Sequence, residues 1–196
     1  MILAIDVYYY PEPNKEGVTY CAAGVLFNNF NSEVPHSVQT IKGTDPISPY
    51  IPGHFKDREL PCILKLLNDF KLYASEIDTI ILDSYVKLLD YKGNRIESLG
   101  DALFNKLDSL SFLGYSSNIS IIGVAKTRFG YKKGSQLLDY CVPVYRGLEA
   151  TTPLYITSIG CDINEAAENI KNMFGPYKLP NMLYIADRYS KKYKEG

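Results

Sequence analysis

The chain predicts a mixed α/β fold in which an antiparallel three-strand meander is extended by parallel strands and flanked by helices. Three features carry that expectation. Three β-prone runs occur before Lys42, joined by short polar links. Later strand-length runs are apolar throughout and alternate with segments whose apolar residues recur at helical spacing, as in parallel strands covered on both faces. Asp6 interrupts the first of the apolar runs.

Residues 2–10 (ILAIDVYYY) read as a strand entering the core. Residues 11–17, with Pro11, Pro13 and Gly17, form a turn-rich loop. Strands follow at 18–27 and 33–41, separated by the Asn28-Asn29 turn. Residues 43–53 carry Pro46, Pro49 and Pro52 and are irregular. A helix is expected from about 57 to 73, its buried stripe being Cys62, Ile63, Leu66, Leu67 and Phe70. The run 78–83 is a short buried strand ending at Asp83. A loop leads to a helix at 98–113, with Ser98 as N-cap, Leu99, Leu103, Leu107 and Leu110 as its stripe, and Gly114 as its stop. Residues 119–124 form another buried strand, with Lys126 just beyond it. Strands are expected at 140–145 and 153–158. Asp162 and Glu165 open a helix through 174, and Pro180 begins a last helix that carries Asp187. The order implies five or six strands in one sheet with helices on both sides, the ribonuclease H-like plan.

At 196 residues a single domain spanning 1–196 is expected. A hydrophobic fraction of 46% with 22% charged residues is ordinary for a globular protein, and a net charge of -1 excludes a global basic field. Contact with nucleic acid would have to come from local clusters: Arg128, Lys132 and Lys133, or Arg188, Lys191, Lys192 and Lys194, the latter equally readable as a solvated tail. No apolar run approaches the roughly 18 residues of a membrane span, and no charged leader precedes the opening strand, so a cytoplasmic location and no membrane partner are expected. The pattern says little about oligomeric state, and a monomer is the expectation. Cys21, Cys62, Cys141 and Cys161 lack C-x-x-C spacing, and only His36 and His54 are present. A metal here would therefore be oxygen-ligated, which points to Mg²⁺ or Mn²⁺.

The acids set up that possibility. Asp6 is either a strand-end carboxylate bonding a turn or a metal ligand in mid-sheet, since an unpaired buried carboxylate costs several kcal/mol. Glu59 is either a first-turn acid complementing the helix dipole or a second carboxylate aimed toward Asp6, because it shares the face of Cys62 and Ile63. Asp83 ends a parallel strand, where ligands collect in open α/β sheets. With Asp187, four acids are expected to converge, and four acids in one place need cations. Two divalent ions can clamp the attacking and leaving oxygens of a phosphodiester displacement. Lys126 would then neutralise developing phosphate charge; its alternative is a solvated loop lysine.

The sequence resembles the endonuclease V family, through pieces that occur in the family's order. Ala4-Ile5-Asp6-Val7 is similar to its first-strand Asp motif, and Pro49-Tyr50-Ile51-Pro52-Gly53 with Arg58-Glu59-Leu60-Pro61 to its P-Y-I-P-G…R-E-x-P signature. Ile81-Leu82-Asp83, Ile122-Gly123-Val124-Ala125-Lys126-Thr127-Arg128, Pro153-Leu154-Tyr155-Ile156, Lys178-Leu179-Pro180 and Ala186-Asp187 resemble the remaining pieces. The resemblance implies a Mg²⁺-dependent DNA-repair endonuclease that cuts DNA or RNA near deaminated purines (deoxyinosine or inosine). It implies Asp6, Glu59, Asp83 and Asp187 as metal or catalytic residues and Lys126 as the residue facing the scissile phosphate. Tyr50 would be the wedge filling the gap left by a flipped base, or else a turn tyrosine beside Pro49. Pro52, Gly53, Ser84 and Arg128 complete the implied substrate-binding set. One departure stands out. The family follows its strand-end Asp with G-x-G and then H-P-R, a glycine loop that admits the base. Here Ser84-Tyr85-Val86-Lys87 follows Asp83, and side chains block the close backbone approach that glycine permits. Two rivals remain: a non-catalytic nucleic-acid binder on the same fold, and a hydrolase of another phosphate ester.

Overall fold

Alternation between two helix-covered faces organises the sheet. A computed structural model describes residues 1–10, 19–44, 55–89, 94–109, 114–115, 118–128, 140–147 and 151–192. The opening run forms β1 (Ile2–Tyr10), which pairs antiparallel with β2 (Thr19–Phe27), and β2 pairs antiparallel with β3 (Ser37–Gly43). Helix α1 (Phe55–Asp69) and a 3₁₀ turn (Lys71–Tyr73) lead to β4 (Thr79–Leu82), which returns parallel beside β1. A two-strand ribbon, β5 (Leu88–Leu89) with β6 (Arg95–Ile96), precedes α2 (Leu99–Ser109). Strand β7 (Ser120–Ala125) runs parallel to β4, and β8 (Val142–Val144) and β9 (Leu154–Ile159) close the sheet antiparallel. Helices α3 (Ile163–Asn172) and α4 (Asn181–Lys191) end the described chain.

The sheet has seven strands in the order β3-β2-β1-β4-β7-β9-β8, not five or six. All the strand runs expected join it, the one at 140–145 as β8, a three-residue edge strand containing Pro143. The loop expected after Asp83 holds the β5–β6 ribbon, whose two-residue strands carry no periodicity at all. The helix at 57–73 ends sooner, giving way to the 3₁₀ turn.

Strand period 2 separates two cores. On one face Leu3, Ile5, Ile80 and Leu82 pack under α1 and α2, with Ile63, Leu66, Leu67, Phe70 and Leu103 fully or almost fully buried. On the other, Ile2, Ala4, Ile81 and Ile122 meet Ala166, Ile170, Leu183 and Ala186 of α3 and α4. The starts of α2 and α3 are pinned as their sequence suggests. Ser98 Oγ accepts the Asp101 N–H (3.1 Å) while Asp101 Oδ2 accepts the Ser98 N–H (3.1 Å), a reciprocal cap. Asp162 Oδ1 accepts from the N–H groups of Asn164 (2.9 Å) and Glu165 (3.0 Å). Among the described residues no helix is long and apolar enough to cross a membrane.

Candidate functional site

Sheet register brings the first two acids together. In the parallel β1–β4 pair Ile5 stands opposite Leu82, so the next residues, Asp6 and Asp83, lie level on strands about 4.8 Å apart. Both have the parity of Ala4 and Ile81, whose side chains face α3 and α4. The third acid, Asp187, is carried on α4, which packs across β1 and β2 on that same face. One carboxylate oxygen from each of Asp6, Asp83 and Asp187 lies within 4.8 Å of the others.

Glu59 arrives from the opposite layer, on α1, and reaches over the strand ends rather than down onto them. It borders a small cavity of about 30 Å³ together with Asp6, Asp83 and Ile63, outside the three-carboxylate group. Its neighbour Arg58 lays its guanidinium 3.7 Å from the Tyr9 ring centroid, and Arg58 Nε is buried with no hydrogen-bond partner among the described residues.

Cations hold the acids in place. Lys126, one residue past β7, puts Nζ 2.5 Å from Asp83 Oδ2 and 3.1 Å from Asp187 Oδ1. Lys191, one helical turn after Asp187, reaches the same Oδ1 at 2.7 Å. Ser190, fully buried, donates its hydroxyl to Asp6 Oδ2; the Asp187 carbonyl oxygen lies 2.9 Å from the same Oγ. Tyr10 O–H anchors this turn by donating to the Ser190 carbonyl at 2.6 Å.

The electrostatics follow from burial. Burial pushes Asp6 up to about 6, with Asp83 and Asp187 adding to the rise and the Ser190 hydrogen bond and Lys126 opposing it. Burial drives Glu59 higher, to about 8, reinforced by the charges of Asp6 and Asp83 and opposed by Arg58. Asp187 goes the other way: burial raises it, but the hydrogen bonds from Lys191 and Lys126 outweigh that and hold it below the usual carboxylate range. Three clustered oxygen donors, with ammonium groups already drawn to two of them, could hold a metal ion.

Other sequence-derived positions fall less centrally. Ser84 follows Asp83 with its Oγ buried and unbonded among the described residues. Arg128 is exposed at the end of the segment after β7. Tyr50, Pro52 and Gly53 lie outside the described residues, as do Lys132, Lys133 and Lys194. Ser190 and Arg146 escaped the sequence reading. A serine three residues after Asp187 shares its helix face, which is a usable signal. Arg146 had none: only folding shows it 7% exposed and donating to carbonyls of Lys171, Met173, Gly175, Tyr177 and Lys178, where it ties down the α3–α4 connection.

This is a ribonuclease H-like fold with an acidic cluster at the carboxyl ends of its parallel strands. Solved structures of endonuclease V are similar to it. The Ciona intestinalis enzyme, in complex with a 24mer DNA containing an inosine followed by a ribo-adenosine, superposes with a TM-score of 0.68 at 20% identity over 99% of this chain and 85% of that one. The Bacillus subtilis endonuclease V gives 0.64 at 17% over 99% and 80%, and the catalytic domain of the human enzyme 0.64 at 16% over 99% and 82%. No family model matches the sequence. No curated protein matches it either.

Proposed function

We propose that the chain is a divalent-metal-dependent endonuclease of the endonuclease V type, hydrolysing phosphodiester bonds in DNA or RNA. The convergence of Asp6, Asp83 and Asp187 from three separate elements carries the reading. Lys126 and Lys191 offset the charges of Asp83 and Asp187, but Asp6, half-buried beside them, is met by the Ser190 hydroxyl, and a third acid drawn into such a cluster is costly unless a further cation is to be held there. Asp6, Asp83 and Asp187 would hold Mg²⁺ or Mn²⁺, with Glu59 completing the acidic border. Bound there, such an ion supplies Lewis acidity toward the scissile phosphate.

The chain's own residues then divide the work. Lys126 stands between Asp83 and Asp187 and would transfer its hydrogen bonds to a non-bridging phosphate oxygen, offsetting the charge that develops there. Glu59 borders a cavity with room for one water beside Asp6 and Asp83, and its ionised form would take that water's proton. Ser190 would keep the Asp6 carboxylate turned toward the cluster. On the substrate side, Tyr50 would supply the base wedge, and Pro52, Gly53, Ser84 and Arg128 the neighbouring contacts. Deaminated purines are the substrates the sequence resemblance names, and a DNA-repair role would follow from them.

A specific observation favours a second reading of the specificity: cutting without selection for inosine. The segment after Asp83 is clamped. Val86 N–H donates to Thr157 Oγ1 (3.0 Å), and Ser98 Oγ donates to the Val86 carbonyl (2.5 Å). An added Cβ at Gly123 would lie 2.5 Å from the Ser84 carbonyl oxygen, so the chain there is already in close contact. A segment so held has little freedom to open around a base.

Purified protein with Mg²⁺ or Mn²⁺ is expected to nick an oligonucleotide, and Asp6→Asn to abolish nicking. Cutting that survives Asp6→Asn overturns the proposal. Retention of oligonucleotides without product under either ion favours the non-catalytic binder, and turnover of mononucleotides alone favours the phosphate-ester hydrolase. Matched inosine- and guanosine-containing strands, cut at equal rates, would assign the unselective specificity.

A further inference from the structure

The solvent side of α4 carries an arrangement the proposed chemistry does not use. At about 100° per residue, Asp187, Lys191, Tyr184, Arg188 and Lys192 follow one another around the helix in steps of about 20–40°. Asp187 turns into the acidic cluster and Lys191 reaches back to its carboxylate, while Tyr184, Arg188 and Lys192 face outward. Tyr184 is 45% exposed, and Arg188, Lys191 and Lys192 are exposed. Asp187 is the only acid on the helix, and it is already turned toward Lys126 and Lys191. The strip leading away from the cluster is therefore cationic with an aromatic ring set in it. Arg188 sits 6.0 Å from the Tyr184 ring centroid, at the outer limit of a cation–π contact, which leaves much of the ring in solvent.

We infer that this strip is the track for a single-stranded nucleic-acid segment on one side of the scissile phosphate. Lys191 and Arg188 would meet successive phosphates, and an unpaired base would stack on Tyr184. Charge complementarity selects a polyanion. The ring selects single strands, because the faces of a duplexed base are covered by its neighbours, whereas an unpaired base offers a free π-face. Tyr184 lies only three residues before Asp187, so a base seated on it belongs to the strand being cut. The inference rests on the nuclease reading, and it adds the strand state of the substrate.

The test measures binding, not cutting. Fluorescence anisotropy in EDTA would compare labelled 12-nucleotide oligo(dT), oligo(rU) and a blunt duplex of equal length across a salt series. The wild-type chain is expected to hold both single strands more tightly than the duplex, the tighter of the two naming the preferred polymer. Tyr184→Leu should weaken single-strand binding about tenfold or more and leave duplex binding alone, while Tyr184→Phe keeps it. Arg188→Gln should flatten the salt dependence on single strands by about 0.7 in the logarithmic slope. Thermal melts confirm that each variant folds. Single-strand affinity unchanged in Tyr184→Leu overturns the track, even if the wild-type chain nicks its substrate. A wild-type chain that neither binds in a salt-dependent way nor nicks overturns the nuclease reading along with it.

Discussion

Glu59 and Asp6 are the residues whose surroundings most change their chemistry. Glu59 is raised from 4.5 to about 8 and Asp6 from 3.8 to about 6, burial being the main cause in both. The folded chain thus holds these protons more tightly than the unfolded chain does. Their contribution to stability is full below the ordinary values and is lost as pH rises, between 3.8 and about 6 for Asp6 and between 4.5 and about 8 for Glu59. Thermal melts in EDTA should accordingly show a melting temperature that falls from pH 5 to pH 8. Saturating Mn²⁺ should raise it more at pH 8 than at pH 5, since protons compete for the same oxygens. An EDTA profile that is flat or rises over this range would contradict the burial of these acids. Ser190 supplies a second check. Its hydrogen bond lowers Asp6, so Ser190→Ala should move the Mn²⁺-binding pH profile upward and weaken the ion at pH 7 by about tenfold or more, read by calorimetry. Asp6 was legible in the sequence because a carboxylate inside an apolar run demands an explanation. Ser190 offered only its place three residues after Asp187, a weaker signal, because a helical serine looks the same whether it faces solvent or a buried carboxylate.

Among the elements, the junction of the segment after β4 with β7 and α2 is the tightest. A Cβ on Gly123 would lie 2.5 Å from the Ser84 carbonyl oxygen, 2.6 Å from Thr157 Oγ1 and 2.7 Å from Val86 N. Gly123→Ala should therefore displace residues 84–86 and cost about 1–3 kcal/mol in chemical denaturation. A wild-type midpoint in that variant would show that the segment is loose. The α3–α4 connection depends on Arg146 instead. Arg146→Met strands the buried Met173 carbonyl and frees the part-buried ones of Gly175 and Tyr177, and at about 1–3 kcal/mol for a buried acceptor left unmet a loss of about 1–3 kcal/mol is expected. At this scale, legibility followed length and period. The long strands and the apolar stripes of the helices were readable, and Ser98 and Asp162 marked helix starts by their own side-chain chemistry. Strand β8 was readable only as a longer run at 140–145, and the β5–β6 ribbon was not, because two-residue strands contain too little pattern to distinguish from a loop.

For the whole molecule, a divalent ion that binds only the folded chain stabilises it by mass action. At an ion concentration a hundred times its Kd the gain is about 2.7 kcal/mol, which for a chain of this size raises the melting temperature by roughly 5–10 °C. Mn²⁺ titrated against the wild-type chain should show that rise, and Asp83→Asn should remove most of it. An equal shift in the variant would place the ion elsewhere. Helices on both faces of the sheet explain why Glu59 stands apart from the other acids. Asp6, Asp83 and Asp187 belong to the α3–α4 face, whereas α1 covers the other, so Glu59 can only approach across the strand ends.

By itself the sequence determined the alternation of strands and helices, the layered class of fold and the acids worth following, because hydrophobic period and misplaced charge are properties of short stretches. Only the tertiary structure decided which acids share one point, which lysines neutralise them and which face α4 turns to solvent. Those depend on the pairing of Ile5 with Leu82 and on the seating of α4 across β1, contacts between residues far apart along the chain that no local pattern encodes.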